Sequence, residues 1–599
     1  MCEQDEISPQ ILNLCDVLLE NIYNFDIYNT KNDDHYVKNW KDLRKNPNEV
    51  LKKAITYTTP DQRRIFNEIT NPDNYKHIYM LSGLPGTGKS YLQTCINLHF
   101  RLQGKCVLSV APTNLIAYQQ KGYTIHSQIK DICKLINIRI FNCDAILLQK
   151  LYAYYNNIDG QKSDFEIKNI IKNLSLTELY QFIDEQTKES INFNILPSPQ
   201  NFTEDFFILL DEGTMVSSTL FSLLYYCYPK AKYLITYGPN QLQPPTNNAT
   251  SCNICIGKEN PDAVNFYELK TQIRMKHNYF IHFVQCFSDI LSGENVFKNE
   301  IEKINQMEFF FNQIKIGGTL QDYFELKDDK KILIVSTNHQ RCQENNRRLQ
   351  ECEGNVYAIK TEMDDSLPEN YDPESRLGID KVLYIKKGVY CIIRMNDLNK
   401  NLIKGQIVKI IDIKTDDEGE VSSIIVIRID DSKKKQICLE KMPIKTDYHL
   451  RYKKYHDGVG DDDDDDDDDN FAYITQFPIT LSYSLTAHSA QGKTLDCNLG
   501  ICLQHNSYNS ESILNSYFVA ITRVRNSEQL YMNMHPVCWM YPDMKIRNIQ
   551  DLHEYKHRII NSRTGAKNFI ETFDKKPIKN ININDMKNID SVIQYIYPH

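Results

Sequence analysis

The stretch that most constrains the fold of this chain is Gly83-Leu84-Pro85-Gly86-Thr87-Gly88-Lys89-Ser90, which fits the pattern GxxxxGK[ST]. The apolar run HIYML before it predicts a buried strand, and YLQTCINLHF after it has the apolar spacing of a helix. In this arrangement backbone N–H groups wrap phosphates, the lysine reaches the β- and γ-phosphates, and the serine binds magnesium. The sequence therefore predicts a site for ATP and Mg²⁺ formed by Gly83, Pro85, Gly86, Thr87, Gly88, Lys89 and Ser90.

A second segment, FFILLDEGTMV, supplies acidic groups. The apolar residues 206–210 predict a buried strand that ends in Asp211 and Glu212. We expect Asp211 to hold magnesium together with Ser90, and Glu212 to polarise the attacking water. An acidic surface turn has the same pattern, but its position downstream of the phosphate loop favours the catalytic interpretation.

Two glutamines are further candidates for the nucleotide site. Gln241 lies in LITYGPNQLQPP, a predicted strand followed by a polar loop, where its amide would contact the γ-phosphate. A plain Pro/Asn turn is the alternative. Gln62, in TTPDQRRIF, has a two-sided amide suited to adenine, although a lone glutamine is more often an ordinary surface residue.

The second half of the chain carries its own set of predicted strands. KILIVSTN, CNLGICLQ and EQLYMNM predict strands, and ITQFPITLSYS predicts one strand that leads into the polar stretch LTAHSAQGKT. This alternation predicts a second α/β domain without a phosphate loop of its own. Arg274 and Arg523 would then reach the γ-phosphate and stabilise the transition state, with an ordinary salt bridge as the alternative for each.

The ordered set of TPDQ, GLPGTGKS, APTNLIA…GYTIHS, LLDEGTM, GPNQLQPP, LKTQIRM, LTAHSAQGKTLD and YFVAITRVR resembles a superfamily 1 helicase of the RecD/Dda/Pif type. The motifs extend from residue 59 to about residue 530. The resemblance implies an α/β fold of two RecA-like P-loop NTPase-type domains. It also implies an ATP-dependent DNA helicase that moves 5′ to 3′ on single-stranded DNA and acts at duplex junctions.

The resemblance also implies where nucleic acid binds. The loop from Thr486 to Thr494 would contact the single strand and sense the nucleotide state, with Gly492 close to the nucleotide. The implied track residues are Pro112, Thr113, Thr124, His126, Thr486, His488 and Gln491. Two departures from the family pattern are Tyr237-Gly238, where Gly-Asp is usual, and Ser489, where lysine is usual.

These features predict a domain organisation with two insertions. The expected parts are an N-terminal helical extension (1–50), a first motor domain (51–262) with an inserted subdomain (128–204), a second motor domain (263–545) and a C-terminal tail (546–599). By resemblance, the first insertion would carry a strand-separating wedge, and a lineage-specific insertion is the alternative. Alternating strands within 383–475 predict a small β-barrel that resembles an SH3-like insertion.

Composition limits the cellular setting and the partners. The chain has a net charge of −9, and nine of its acids form one run at residues 461–469, so the rest of the chain is balanced. This run is expected to be a solvated spacer, with competition for the nucleic-acid track as the alternative. Seventeen cysteines and an acidic N-terminus predict an unsecreted protein of the nucleus or cytoplasm, with no apolar run long enough for a membrane span. The pair Cys252 and Cys255 is interpreted as structural.

Two other functions fit the sequence. One is an RNA helicase or RNA–DNA unwinder, because folds of this kind handle both nucleic acids. The other is a nucleotide-switched nucleic-acid-binding scaffold that does not unwind, which the departure at Tyr237-Gly238 allows. Nucleic-acid-stimulated ATP hydrolysis separates the scaffold from the motors.

Overall fold

A computed structural model describes most of the chain. It covers residues 7–29, 43–129, 206–244, 251–429, 435–449, 471–503 and 510–574, apart from gaps of one to three residues, together with residues 175, 177 and 178. These residues form two compact units, one within 1–296 and 314–533 and the other within 297–313 and 534–599. No helix in the described residues combines the length and the apolar character needed to cross a bilayer.

The first sheet of the larger unit has six parallel strands in the order β3-β2-β4-β5-β1-β6. The strands are β1 (Ile78–Gly83), β2 (Cys106–Ala111), β3 (Tyr123–Thr124), β4 (Phe206–Leu210), β5 (Lys232–Tyr237) and β6 (Val264–Leu269). The helices beside them are Pro9–Asn29, Pro47–Thr56, Pro60–Thr70, Lys89–Leu102, Asn114–Gln119, Ser218–Cys227 and Cys252–Ile256. Because all strands are parallel, their carboxyl ends meet at one edge, where ligands bind in such sheets.

Both faces of this sheet are buried. Along β1, Ile78 and Met80 enter a core cluster with helix Ser218–Cys227, whereas Tyr79 and Leu81 enter a second cluster on the opposite face with helix Lys89–Leu102. Successive side chains of a strand point to opposite faces, so a strand covered on both sides is apolar throughout. This explains why the strands before the phosphate loop and before Asp211 are continuous apolar runs.

The N-terminal helix belongs to the core of the first sheet. It begins at Pro9 after Ser8, whose hydroxyl accepts a hydrogen bond from the N–H of Ile11, and it ends at Asn29. Its apolar stripe is buried in the cluster of helix Lys89–Leu102 and comprises Leu14, Cys15, Leu18, Leu19 and Ile22. The predicted extension is therefore an integral part of the first α/β domain.

The second sheet has four parallel strands in the order β18-β7-β19-β20. These are β7 (Lys331–Val335), β18 (Ser484–Thr486), β19 (Asn498–Cys502) and β20 (Leu530–Tyr531). The helices of this part are Asn278–Leu291, Leu320–Glu325, Asn338–Glu351, Ala487–Ala490 and Ser510–Ile521, with a 3-10 turn at Ser527–Gln529. A second α/β layer is thus present, as the sequence predicts.

The run ITQFPITLSYS does not form one strand. It contributes to three strands, namely β16 (Phe471–Gln476), β17 (Ile479–Leu481) and β18, and each pairs in a different sheet. Pro478 interrupts the run because it has no N–H for a ladder, and its carbonyl oxygen accepts a hydrogen bond from the N–H of Arg394. The single-strand prediction is therefore wrong.

Antiparallel strands lie between β7 and β18 in sequence. A five-stranded sheet has the order β14-β13-β12-β11-β17, and two smaller sheets have the orders β15-β16-β9 and β10-β8. The remaining strands are β8 (Tyr357–Lys360), β9 (Glu362–Met363), β10 (Val382–Ile385), β11 (Tyr390–Ile393), β12 (Ile407–Thr415), β13 (Val421–Arg428), β14 (Gln436–Leu439) and β15 (Met442–His449), with helix Pro373–Leu377 among them. Strands are thus found within 383–475 as predicted, and β8, β9 and β17 extend the sheets beyond those bounds.

Within its described residues, 297–313 and 534–574, the smaller unit contains two helices and two short turns. Helices Glu300–Gln313 and Ile549–Asp574 pack together, and Glu308 accepts a hydrogen bond from the Lys556 ammonium at 2.6 Å. The turns are 3-10 helices at Pro536–Trp539 and Pro542–Met544. Within the predicted C-terminal tail (546–599), helix Ile549–Asp574 occupies much of the segment.

Several predicted bounds can be compared with these elements. Strand β6 lies after the predicted domain end at residue 262 and yet pairs with β1, so the first sheet extends to Leu269. Most of the insertion 128–204 and the whole aspartate run lie outside the described residues. Residues 297–313 belong with the C-terminal unit and not with the second sheet.

Candidate functional site

The phosphate loop joins β1 to helix Lys89–Leu102. Gly86 and Gly88 have φ of 92° and 80°, a left-handed conformation that glycine adopts without steric cost. A Cβ at Gly86 would collide with Gln272, and a Cβ at Gly88 would collide with Gln62. The loop therefore needs glycine at both positions for its shape and for its close neighbours.

Lys89 lies inside the loop. Its ammonium donates hydrogen bonds to the carbonyl oxygens of Gly83 at 2.6 Å and Leu84 at 3.2 Å, and only 8% of the residue is exposed. Burial lowers the pKa of Lys89 to about 8, although the charges of Glu212 and Asp211 oppose this shift. The negative charge of a polyphosphate would favour the ammonium form and raise this pKa.

Asp211 follows β4 and is held by three polar side chains and by the backbone N–H of Glu212. Its Oδ2 accepts hydrogen bonds from the Ser90 hydroxyl at 2.9 Å and the Gln120 amide at 3.1 Å, and its Oδ1 accepts one from Thr236. The Ser90 hydroxyl and the Asp211 carboxylate are thus adjacent oxygen donors, the ligand type that Mg²⁺ prefers. These residues fit a magnesium site beside the phosphate loop.

Glu212 has a constrained backbone. Its φ of 54° and ψ of 48° lie in the left-handed region, which is uncommon for a residue with a side chain. Burial raises the pKa of Glu212, the neighbouring Asp211 raises it further, and Lys89 and Arg523 lower it. The amide of Gln491 donates a hydrogen bond to its Oε2 at 3.3 Å. Strain at such a position is typical of functional sites.

Gln241 is oriented by two hydrogen bonds. Its Oε1 accepts from the Gly238 N–H at 3.0 Å and from the Thr214 hydroxyl at 3.2 Å. Both bonds use the oxygen, so the amide NH₂ is the part that a phosphate oxygen would contact. The altered sequence Tyr237-Gly238 thus still positions this glutamine, because the contact uses a backbone N–H.

Two arginines lie next to the loop. The backbone N–H of Arg274 donates a hydrogen bond to the Gly86 carbonyl at 3.2 Å, and its guanidinium donates one to the Thr522 carbonyl at 3.0 Å. Arg523 is 1% exposed and donates to the Val519 carbonyl at 2.8 Å. Burial lowers the pKa of Arg274 to about 9 and that of Arg523 to about 10, so both remain cationic near neutral pH.

These groups surround one cavity of about 330 Å³. Of the predicted residues, its lining includes Pro85, Gly86, Gly88, Lys89, Ser90, Glu212, Gln241, Arg274, Gly492 and Arg523. The lining comes from the carboxyl edge of the first sheet, from segments next to the second sheet and from the N-terminal helices. The structure therefore brings together the predicted phosphate-binding, acidic and arginine groups.

Gln62 does not lie where its predicted role requires. Its Nε2 donates to the Thr87 carbonyl at 3.0 Å, its Oε1 accepts from the Thr59 N–H at 2.9 Å, and the residue is fully buried. Both sides of the amide are thus used within the protein, and Gln62 is not part of the cavity lining. In this structure it buttresses the phosphate loop and does not present its amide to adenine.

A second cavity, of about 310 Å³, contains much of the predicted track. Pro112 and Thr113 line it from the first domain, and His488 and Gln491 line it from the second. Thr113 caps helix Asn114–Gln119, and burial lowers the pKa of His488, which favours neutral imidazole. Gln491 thus touches this cavity and Glu212 of the nucleotide site.

The other predicted track residues are engaged in local structure. The Thr486 hydroxyl accepts from the Ser489 N–H at 3.4 Å, and the Thr124 hydroxyl accepts from the Ser127 N–H at 3.3 Å. Burial lowers the pKa of His126. Neither threonine nor His126 is among the residues that line the second cavity. The two threonine hydroxyls therefore support local turns of the backbone.

Some residues of the site were not predicted from the sequence. Gln120 and Thr236 hold Asp211, and Gln272 donates to the Pro85 carbonyl at 2.9 Å. Gln272 lies in LKTQIRM, beside Arg274, and Thr236 lies in the predicted strand of LITYGPNQLQPP, whereas Gln120 lies in no quoted motif. Cys252 and Cys255 are buried in the core of the first sheet, where the Cys252 thiol donates to the Gly213 carbonyl at 3.2 Å.

Comparisons with known proteins place this geometry among characterised folds. Residues 57–142 match the family model of PIF1-like helicases. The chain is 22% identical to the ATP-dependent DNA helicase Pif1 of Campylobacter jejuni over 494 residues, which are 78% of this chain and 90% of the relative. It is also similar to crystal structures of Pif1 helicase from Bacteroides with ADP-AlF3 and ssDNA (18% identity, 80% of this chain and 94% of that chain, TM-score 0.51) and of Bacteroides Pif1 bound to ssDNA (17%, 79% and 92%, 0.50).

Proposed function

We propose that this chain is a Pif1-like, ATP-dependent DNA helicase of superfamily 1 that moves 5′ to 3′ along single-stranded DNA and separates duplex at junctions. The observation that carries the proposal is the hydrogen bond from Gln491 to Glu212. It joins the candidate catalytic acid of one sheet to the candidate DNA loop of the other. The proposal includes the direction of movement along DNA, the use of Mg²⁺, and an intracellular role in replication, recombination or repair.

The chemistry assigned to the first cavity follows from its charges. Lys89 and the loop N–H groups bind the β- and γ-phosphates, and Ser90 with Asp211 would hold magnesium, which neutralises developing charge on the phosphates. Glu212, whose pKa is raised by burial, accepts a hydrogen bond from the attacking water and so polarises it. Arg274 and Arg523 stabilise the charge that develops on the γ-phosphoryl oxygens. Gln241 contacts the γ-phosphate and responds to its loss.

We expect Gln491→Ala to uncouple DNA binding from hydrolysis. The variant removes the amide that contacts Glu212, so stimulation of ATPase activity by oligo(dT) should fall toward a ratio of one, from a coupling of roughly 5- to 150-fold. That hydrogen bond lowers the pKa of Glu212, so its loss should raise this pKa. Because Glu212 acts as the carboxylate, the acidic limb of the kcat profile should move to higher pH.

The measurement is the ATPase rate with and without oligo(dT) across a pH series. Gln343→Ala, an exposed glutamine of helix Asn338–Glu351, serves as the control and should behave as wild type. Equal stimulation of wild type and Gln491→Ala would show that this loop does not couple the two sites.

The second cavity suits the phosphate backbone of a single strand. Its lining combines the predicted track residues with three cations, Arg394, Lys404 and Lys493, and no Asp or Glu is among its described lining residues. Burial and the charge of Arg394 lower the pKa of Lys493 to about 8, and the same two causes lower the pKa of Lys404. A bound phosphate would relieve this repulsion. Thr124, His126 and Thr486 then support the track from its margin.

Two of these cations flank a connection in the five-stranded antiparallel sheet. Arg394 follows β11, and Lys404 precedes β12. We assign this sheet to the SH3-like insertion and infer that it closes over the strand. The arrangement supplies positive charge opposite Ser489, the position at which related loops carry lysine.

Lys404→Ala should weaken DNA binding through lost charge. The plot of log Kobs against log salt should become shallower by about 0.7, the value for one phosphate contact in a single strand, and affinity should fall roughly threefold to tenfold. Lys414→Ala, an exposed lysine of β12, is the matched control. Weaker binding with an unchanged salt slope would mean that Lys404 supports the fold and not the strand.

A strand-displacement assay tests the function as a whole. Forked and tailed duplexes with a 5′ or a 3′ single-stranded arm are compared as DNA, RNA and hybrid substrates. We expect ATP-dependent displacement only from the 5′ DNA tail. Preference for an RNA track would favour the RNA helicase, and stimulated hydrolysis without displacement would favour the scaffold.

A further inference from the structure

The cavity around the phosphate loop has a second, uncharged wall. Its charged lining residues are Lys89, Glu212, Arg274, Arg523 and Arg525, and we call the uncharged group outside the phosphate loop formed by Asn21, Ile22, Tyr57 and Tyr91 the uncharged wall. A nucleoside triphosphate also has a charged and an uncharged part, because one end is a polyanion and the other is a flat, uncharged base. Since the phosphate loop and the cations account for the phosphates, the uncharged wall is the place that we assign to the base.

Three of the four residues of the uncharged wall come from the N-terminal segments, and Tyr91 comes from helix Lys89–Leu102. Asn21 and Ile22 belong to helix Pro9–Asn29, and Tyr57 ends helix Pro47–Thr56. The first helix is anchored because Leu14, Leu18 and Ile22 are buried against helix Lys89–Leu102, which begins at the phosphate loop. The wall is therefore held at a fixed position relative to the phosphates.

Asn21 has a defined orientation. Its Nδ2 donates a 2.8 Å hydrogen bond to the Val17 carbonyl one turn earlier in the helix. Because this bond uses the nitrogen, the amide cannot turn over without losing it, and Oδ1 remains as a hydrogen-bond acceptor. An acceptor pairs with the exocyclic amino group at position 6 of adenine and opposes the carbonyl oxygen at position 6 of guanine.

In this structure, Gln62 does not have a free amide group with which to recognise the base. Both sides of its amide are bonded to the Thr87 carbonyl and the Thr59 N–H. Tyr57 and Tyr91 are the aromatic residues of this wall, and the Tyr91 hydroxyl is bonded to the Ala54 carbonyl at 2.8 Å. Tyr57 is half-buried, and a planar base stacks favourably on such a ring. Stacking binds any base, whereas the acceptor of Asn21 distinguishes adenine from guanine.

We propose that Tyr57 stacks on the nucleotide base and that Asn21 selects adenine over guanine, so that the N-terminal helix sets the nucleotide specificity of this enzyme. The inference rests on the proposed ATP hydrolysis at the same cavity. The two residues contact the base and take no part in phosphoryl transfer. Their loss therefore acts on nucleotide binding before it acts on turnover.

The test compares ATP and GTP as substrates of the full chain. Wild type should prefer ATP in kcat/KM, and Asn21→Ala should reduce the ATP-to-GTP ratio by about tenfold, chiefly through KM for ATP, a size typical of one base-reading contact. Tyr57→Leu should raise KM for both nucleotides by roughly fivefold or more, and Tyr57→Phe should restore them because the ring is retained. Asn13→Ala, exposed on the same helix, is the matched control.

Direct binding of fluorescent ATP and GTP analogues separates affinity from turnover, and thermal unfolding identifies any variant that is misfolded. A wild type that uses GTP as well as ATP, or an Asn21→Ala variant with an unchanged ratio, would overturn the proposal. A wild type that hydrolyses neither nucleotide would instead refute the proposed function, so the two failures are distinguishable.

Discussion

Arg523→Ala is expected to lower kcat for DNA-stimulated ATP hydrolysis by roughly 10³-fold or more, with little change in KM for ATP. An arginine that stabilises the γ-phosphoryl group in the transition state acts on turnover and not on ground-state binding. The guanidinium is already held beside the phosphate loop by the Val519 carbonyl and the Thr522 hydroxyl. It therefore needs little reorganisation to reach the nucleotide.

The experiment is a steady-state comparison of kcat and KM with saturating oligo(dT). Arg523→Lys keeps the charge without the planar fork and should recover only part of the rate. Arg274→Ala should show the same pattern as Arg523→Ala, whereas Arg64→Ala, an exposed residue paired with Glu68, should match wild type. Full turnover in either cavity variant would show that the affected arginine is structural.

Lys89→Ala should reduce ATP hydrolysis by at least about 100-fold, the size found when one preorganised donor to a developing anion is removed. The ammonium lies within the loop, and its burial near Asp211 and Glu212 leaves it as the group that meets the β- and γ-phosphates. Binding of labelled oligonucleotide should be largely retained, because Lys89 does not line the second cavity.

The readouts for Lys89→Ala are initial ATPase rates and fluorescence anisotropy of the labelled oligonucleotide. Lys52→Ala, an exposed lysine paired with Glu49, controls for the loss of one positive charge. The substitution removes one donor from each of the Gly83 and Leu84 carbonyl oxygens, although Leu84 still accepts from Thr87, so thermal unfolding should accompany the kinetics. Normal turnover in the variant would disprove the assignment of this loop as the nucleotide site.

Local patterns in the sequence were sufficient to predict the central chemistry. The phosphate loop and the Asp211-Glu212 pair each follow a strand buried on both faces, and such strands are continuous apolar runs that can be recognised without a structure. Their meeting at one edge follows from the parallel order of the sheet. This part of the site needed no knowledge of long-range contacts.

Other features depended on long-range packing and were missed or misjudged. ITQFPITLSYS has one continuous alternation, yet its parts pair in three sheets, because strand partners elsewhere in the chain decide the pairing. Gln62 was suited to adenine by its chemistry, but the turn at Thr59 and the loop at Thr87 occupy its amide. The packing of the N-terminal helix beside the nucleotide cavity could not be inferred from its apolar stripe, which only shows that one face is buried.

The division of residues 471–486 among three sheets has a mechanical consequence. Only two residues separate β16 from β17, and only two separate β17 from β18. The three strands are therefore joined by short connections that allow little movement of one relative to another. β18 ends at Thr486, and helix Ala487–Ala490 with Gln491 follows at once. If the antiparallel sheets bind the strand as proposed, a load that displaces them would act through this short connection on Gln491, which touches Glu212, and we expect an opposing load on the DNA to slow ATP turnover as well as stepping.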